Sequence, residues 1–157
     1  MAICKPSELK AKLTRNQTIL GLDLGTKTIG LALSDVTYIV ASPLVTIARK
    51  KFSQDAAALE AIMAKHNVGA LVLGLPVEMD GTEGARAQST RSFVSEILKR
   101  RDLPIAFWDE RLSTAAVQRM LTDEADMSRK RRAEVVDKAA AAYILQGFLE
   151  AIRNQPL

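Results

Sequence analysis

A chain of 157 residues with 48% apolar content has the length of one domain and the material for a core, which excludes an intrinsically disordered protein. A single cysteine, Cys4, excludes a disulfide framework, and with one histidine and no C-x-x-C pair there is no zinc site. Met1 to Thr18 lack an apolar h-region and no run approaches the roughly 18 apolar residues of a membrane span, so a soluble, reducing, cytoplasmic setting is expected.

In chain order, residues 1–17 read as a basic extension preceding a single domain over 18–153. Lys5, Lys10, Lys12 and Arg15 stand there against Glu8, so +3 of the formal net charge of +4 lies in this tail. The extension is either an arm or part of a substrate grip. From Ile19 the period is two: Ile19, Gly21 and Asp23 alternate with Leu20, Leu22 and Leu24. This predicts a first strand to Gly25, joined by the turn "GTKT" to a second strand over Ile29 to Ser34. A third strand follows around Tyr38 to Ile47. Ser53 is a candidate N-cap for a helix whose Ala56, Leu59, Ile62 and Met63 share one face. The run "GALVLGLP" gives a short strand, apolar on both sides, ending at Gly74. After the turn-rich "VEMDGTEG" come a helix from about Ala85 to Arg100 and a fifth strand that stops at Trp108 or Asp109. Ser113 or Thr114 can cap a helix to about Leu121, residues 122–132 read as a charged loop, and Glu134 to Ile152 is a long last helix. This order predicts an α/β fold with a mixed five-stranded sheet, an antiparallel three-stranded meander plus two parallel strands, flanked by helices.

The body of the domain is nearly neutral, but its basic residues cluster in "ARKK" (48–51), "KRR" (99–101) and "SRKRR" (128–132). Such runs can bind phosphates, and each taken alone is more commonly a solvated helix end or loop. The acids are more informative. Asp23 interrupts an apolar strand, and Asp109 and Glu110 stand at the carboxyl end of the fifth, the edge where open α/β sheets place their ligands. In the last helix Asp137 shares a stripe with Ala141, Ile144 and Phe148. Carboxylates that converge repel one another unless a cation joins them, and hard oxygen ligands suit Mg²⁺ or Mn²⁺. Two such ions would support in-line hydrolysis of a phosphodiester. Each acid alone is as readily structural: Asp109 and Glu110 can pair with Arg111 or cap a helix, Asp137 can start one, and Asp23 can accept hydrogen bonds from the hairpin. Asp35, Glu78 and Asp80 lie in turn-like contexts and read as structural, and His66 as a surface residue.

"GLDLGTKTIGLALSD", "LGLPVEMDGTEG", "WDERLST" and "VVDKAAAAYILQGFL" resemble, in order and spacing over about Thr18 to Ile152, the YqgF (RuvX) family of RNase H-like nucleases. The resemblance implies an RNase H-like fold and a bacterial role in processing the 5′ end of pre-16S ribosomal RNA, with Holliday-junction resolution as the alternative. It implies Asp23, Glu110 and Asp137 as metal ligands and Asp109 as a supporting acid. Thr26, Lys27 and Arg111 become candidates for holding the scissile phosphate. Related RuvC nucleases carry an acid after the fourth strand and two in the final helix; here that strand ends in "GLP" and the helix offers Asp137 with Glu134 nearby.

The opening "DLGTKT", with its D-x-G-T, also resembles the first phosphate loop of the sugar-kinase and actin superfamily, but one domain has no second lobe to close over ATP. A non-catalytic RNA-binding assembly module is the other alternative. It would use the basic runs and tolerate loss of the acids. The expectation is a Mg²⁺- or Mn²⁺-dependent phosphodiesterase acting on nucleic acid, pre-rRNA before structured DNA. Water would attack phosphorus to leave a 5′-phosphate and a 3′-hydroxyl, while Arg129, Lys130, Arg131, Arg132 and Arg111 neutralise backbone charge. No dimer helix is evident, and a monomer is expected.

Overall fold

Seven consecutive buried residues, Thr18–Leu24, form β1 and pair on both sides. The computed structural model describes residues 3–78, 80–112 and 129–153, and for Leu112 and residues 129–137 the backbone alone. Against β1 lie β2 (Thr28–Ser34), antiparallel with Leu22 opposite Leu31, and β4 (Val68–Leu75), parallel with Leu22 opposite Leu73. The outer strands are β3 (Ala41–Ala48), antiparallel to β2, and β5 (Ile105–Asp109), parallel to β4. The order β3-β2-β1-β4-β5 is the expected meander with two parallel strands added.

Period-two patterning sends alternate residues of β1 to opposite faces. On one face Leu20, Leu22 and Leu24 join Leu71 and Leu73 beneath α2 (Phe52–Lys65) and α3 (Ala85–Arg100), which contribute Leu59, Met63, Phe93 and Ile97. Each fully buried leucine here contributes on the order of 1.5–3 kcal/mol. On the other face Ile19, Ala32, Ala70, Val72 and Ala106 pack against α4 (Arg129–Arg153) through Ala140, Ala141, Ile144, Leu145 and Phe148. A methyl group at Gly21 would stand 2.8 Å from Cβ of Leu145 and 3.2 Å from the carbonyl oxygen of Ala141, so the missing side chain is what lets α4 lie this close. The side-chain amide of Gln146 holds the start of β3, accepting from Ala41 N at 2.8 Å and donating to the Ile39 carbonyl at 2.9 Å. The start of β3 pairs with the end of β2, whose Ser34 hydroxyl accepts from Ile19 N at the start of β1. Residue 146 therefore sits near the beginning of β1 and residue 141 further along it, so α4 runs antiparallel to β1.

Several boundaries differ from the sequence reading. β3 starts at Ala41 rather than Tyr38, because the Asp35 carboxylate accepts the amides of Ile39 and Val40 and holds a turn, with Tyr38 at φ +61. Ser53 lies inside α2; the helix begins after Lys51, and Asp55 in its first turn accepts the Lys50 amide at 2.9 Å. The run 129–132 is the start of α4 and not a loop, since Arg and Lys are good helix formers. The helix expected from Ser113 to Leu121 falls outside the described residues. The N-terminal segment contains a short helix, α1 (Pro6–Ala11), whose Leu9 is wholly buried against the α4 face. Just before it, Cys4 N donates to the Ile105 carbonyl at 2.7 Å and Ile3 makes a parallel bridge to Ile105.

At the opposite edge β3 carries Pro43 opposite Ala32, where the β2–β3 register shifts, and around it Val36, Ile39, Val40 and Val45 are exposed. Among the described residues no helix is long and apolar enough to cross a membrane.

Candidate active site

Asp23 is 2% exposed near the carboxyl end of β1, on the same face as Ile19 and Gly21 and therefore on the α4 side. At the neighbouring carboxyl end of β5 the chain turns through a 3₁₀ segment, Glu110–Leu112, and Glu110 is 9% exposed. Its side chain folds back over β4. A methyl group at Gly74 would lie 2.9 Å from Glu110 Oε1, 3.1 Å from its Cγ and 2.5 Å from Ile144 Cδ1. Gly74 pairs with Trp108 of β5, and β4 separates β5 from β1, so the glycine clears the path by which Glu110 lies over β4 on the way to β1. A glycine inside an otherwise apolar strand signals such a close approach, and "GALVLGLP" carried that signal.

Asp137 belongs to α4, one turn before Ala141. Since α4 runs antiparallel to β1 and Ala141 meets Gly21, the helix register carries position 137 toward the end of β1 that bears Asp23. The side chain of Asp137 lies outside the described residues, as do those of Arg129, Lys130, Arg131 and Arg132, whose backbone forms the first turn of α4. Among the described residues no group of three His, Cys, Asp or Glu side chains could hold a metal ion.

Asp109 is engaged differently from Glu110. Its carboxylate accepts a forked pair from Arg111, Nη2 to Oδ2 at 2.7 Å and Nε to Oδ1 at 3.1 Å, and also the Arg111 amide at 2.9 Å. The Arg111 side-chain hydrogen bonds hold the Asp109 carboxyl below the usual carboxylate range against the opposing effect of burial. The pairing considered as the structural alternative for Asp109 is thus present, and it fixes the guanidinium of Arg111. Nη1 of Arg111 lies 3.9 Å from where a Gly81 Cβ would stand, so the arginine borders the turn after β4.

Thr26 and Lys27 are exposed at the tip of the β1–β2 hairpin, where Gly25 N donates to the Thr28 carbonyl at 2.9 Å. The Lys27 carbonyl accepts from Arg49 N at 2.8 Å, which ties the hairpin to the end of β3. Two other acids serve turns through their carboxylates, and Glu78 lies in one through its backbone. Asp35 is raised by burial, but hydrogen bonds from the Thr37 hydroxyl and the amides of Val40 and Ile39 outweigh this and bring it to about 2. Asp80 accepts the Thr82 hydroxyl and amide, and the Glu78 backbone closes the same turn with Thr82 and Gly81.

The donor set fits a hard divalent cation. Asp23 and Glu110 are buried carboxylates on one face at one sheet edge, and two such charges are stable together when a cation stands between them.

A family profile described as "RuvX: Holliday junction resolvase" matches residues 17–151. A "Putative pre-16S rRNA nuclease" of Paramagnetospirillum magneticum is 65% identical over 150 residues, covering 96% of each chain. One of the same description from Rhodospirillum rubrum is 56% identical over 155 residues, covering 99% of this chain and 96% of the relative. Among solved structures, Thermus thermophilus RuvC in complex with Holliday junction substrate aligns with a TM-score of 0.55 at 15% identity, over 90% of this chain and 99% of that one. The fowlpox virus resolvase bound to Holliday junction DNA aligns with a TM-score of 0.50 at 10% identity, over 87% of this chain and 99% of that one. At these identities the structural likeness is one of fold, and it confirms the RNase H-like architecture implied by the sequence motifs. With the profile matched from Gln17 to Ala151 and relatives above half identity along almost the whole length, the chain belongs to the RuvX (YqgF) family.

Proposed function

We propose that this chain is a divalent-cation-dependent nuclease that processes the 5′ end of pre-16S ribosomal RNA. The observation that carries the reading is the pair of buried carboxylates, Asp23 and Glu110, at the carboxyl ends of β1 and β5, with Gly74 cleared between them. Relatives described as pre-16S rRNA nucleases support the substrate.

Asp23, Glu110 and Asp137 would hold Mg²⁺ or Mn²⁺, a pair of ions in this reading, and the cation would supply charge for the attacking and leaving oxygens of the phosphodiester. The rigid central strand fixes Asp23, and Ile144 packed beside Glu110 limits the rotamers of that carboxylate. Asp109 positions Arg111, whose guanidinium would contact a non-bridging phosphate oxygen. Thr26 and Lys27 at the hairpin tip, and Arg129, Lys130, Arg131 and Arg132 in the first turn of α4, would neutralise flanking phosphates. The products would be a 5′-phosphate and a 3′-hydroxyl. In this reading the catalytic unit is 18–153, it acts as a monomer, and 1–17 is an accessory segment.

Junction resolution is the second reading, favoured by the family description and by the RuvC fold. Labelled pre-16S leader RNA and a four-way DNA junction, incubated side by side with Mn²⁺, Mg²⁺ or EDTA, separate the two. Metal-dependent cutting of RNA alone, lost in Asp23→Asn, is expected. Paired cutting of the junction alone would replace the first reading with the second, and cutting of neither would leave a binding module.

A further inference from the structure

On the face of the sheet away from Asp23, a cleft of about 230 Å³ opens between the β1–β2 hairpin and α3, lined by Leu24, Thr26, Arg49, Arg86 and Ser89 among others. Arg49 comes from the connection after β3 and Arg86 from the first turn of α3. Arg49 is held in place. Its Nη1 donates to the Gly25 carbonyl at 2.6 Å and its guanidinium lies 5.9 Å from the centre of the Phe93 ring. Neither arginine is paired with a carboxylate among the described residues, whereas Arg91 and Arg100 nearby on α3 are both matched to glutamates. Two guanidiniums with donor capacity to spare, flanked by the hydroxyls of Thr26 and Ser89, form a binding surface for a phosphate.

We propose that the Arg49–Arg86 cleft grips a backbone phosphate of the nucleic-acid strand next to the one being cut. The assignment rests on the nuclease reading and deepens it. Leu24 lines the cleft and Asp23, the residue before it, faces α4, so the hairpin tip separates the cleft from the acids by the thickness of the sheet. A strand draped over this tip, past the exposed Thr26 and Lys27, presents one phosphate to Asp23 and a neighbouring one to the arginines. Both guanidiniums read only charge and phosphate geometry, so the grip sets position along the strand and is indifferent to base identity.

The test is binding in the Asp23→Asn background, where cleavage does not interfere. Fluorescence anisotropy with a labelled single-stranded leader RNA is read over a series of salt concentrations. Replacing Arg49 and Arg86 by Gln should weaken binding and reduce the slope of log affinity against log salt by about 0.7, the value for one phosphate of a single strand that is no longer neutralised. Arg86→Gln alone is the safeguard against misfolding, because Arg86 is exposed; it should give about half that change. Lys65→Gln, an equal loss of charge at the far end of α2, should leave the slope unaltered. An unaltered slope in both cleft variants, or the same drop in Lys65→Gln, overturns the proposal. Competition by sub-millimolar inorganic phosphate, lost in Arg86→Gln, would mark a small-anion site and also overturn it. Failure of the wild type to cut any substrate would overturn the nuclease reading without touching these binding slopes.

Discussion

The two faces of the sheet are built from different residues. Toward α2 and α3 the strands present Leu20, Leu22, Leu24, Leu71 and Leu73, large side chains that fill the space between the layers. Toward α4 they present Ile19 and Val72 together with Gly21, Ala32, Ala70, Gly74 and Ala106, and the small ones let the helix approach the strand backbone. The large-residue face is a stability device. The small residues cost apolar area, but this face carries Asp23, and over its Gly74 the Glu110 side chain lies beside Ile144 of α4. In the proposed site, close packing on that side would hold the two carboxylates in place, where a leucine-filled layer would push them apart.

Substitutions on each face can break or sharpen this contrast. The largest effect is expected for Asp23→Asn on the small-residue face: cleavage should fall by on the order of 10³-fold, about 4 kcal/mol of transition-state stabilisation, with RNA binding retained in anisotropy. Normal cleavage by that variant would remove the acid site from this face. On the opposite face Leu73→Ala should cost roughly 2–5 kcal/mol in urea unfolding, while the folded fraction still cuts RNA. If its activity falls far beyond the unfolded fraction, the two faces are not functionally separate.

Two glycines refine the contrast within the α4 face. Gly21→Ala and Gly74→Ala both force a methyl group against α4 and should each cost about 1–3 kcal/mol in a melting or urea titration. Only at Gly74 does the new methyl also meet Glu110, 2.9 Å from Oε1, so only there should cleavage drop further than stability explains. Equal activity losses would mean that general packing, and not the placement of Glu110, controls the site.

The smallest effect belongs to the β2–β3 turn, outside both faces. Asp35 sits at about 2 when folded and near the ordinary carboxylate value when unfolded. The stability it contributes is therefore present above about pH 4 and lost as the pH falls toward 2, and solvent screening keeps it below about 1 kcal/mol. Urea titrations between pH 5 and 2 on wild type and Asp35→Asn should converge at the acid end. A constant difference would show that the turn's hydrogen bonds do not depend on the charge.

Where two periodicities were strong, the fold was legible: β1 and β2 from alternation, α3 to the residue at both ends. Errors fell where a side chain caps the backbone at a distance in sequence, as Asp35 does for the turn before β3 and Asp55 for the start of α2. Leu9 was hidden because a short amphipathic turn in a basic tail gives no sign of the surface it will meet. Apolar context singled out Asp23 as a buried acid, and Gly74 was visible as a strand glycine without its meaning. Its role needs Glu110, which is far away in sequence and brought alongside by a parallel crossover. Arg49 was visible only as one member of the basic run 48–51, and Arg86 was not singled out, since their cleft is assembled from a strand end and a helix start.

Pro43 on β3 bears on how this protein behaves at high concentration. An edge strand with exposed valines on and beside it is a template for pairing with another chain, and unchecked it leads to fibrillar association. A proline offers no backbone donor there, and the register shift opposite it breaks the regular spacing of the remaining ones. The other edge needs no such interruption, since Ile3 and Cys4 already occupy the start of β5. The sheet is thus guarded at both ends by unlike means, one covalently part of the strand and one supplied by the first residues of the chain, and loss of either exposes a sticky margin.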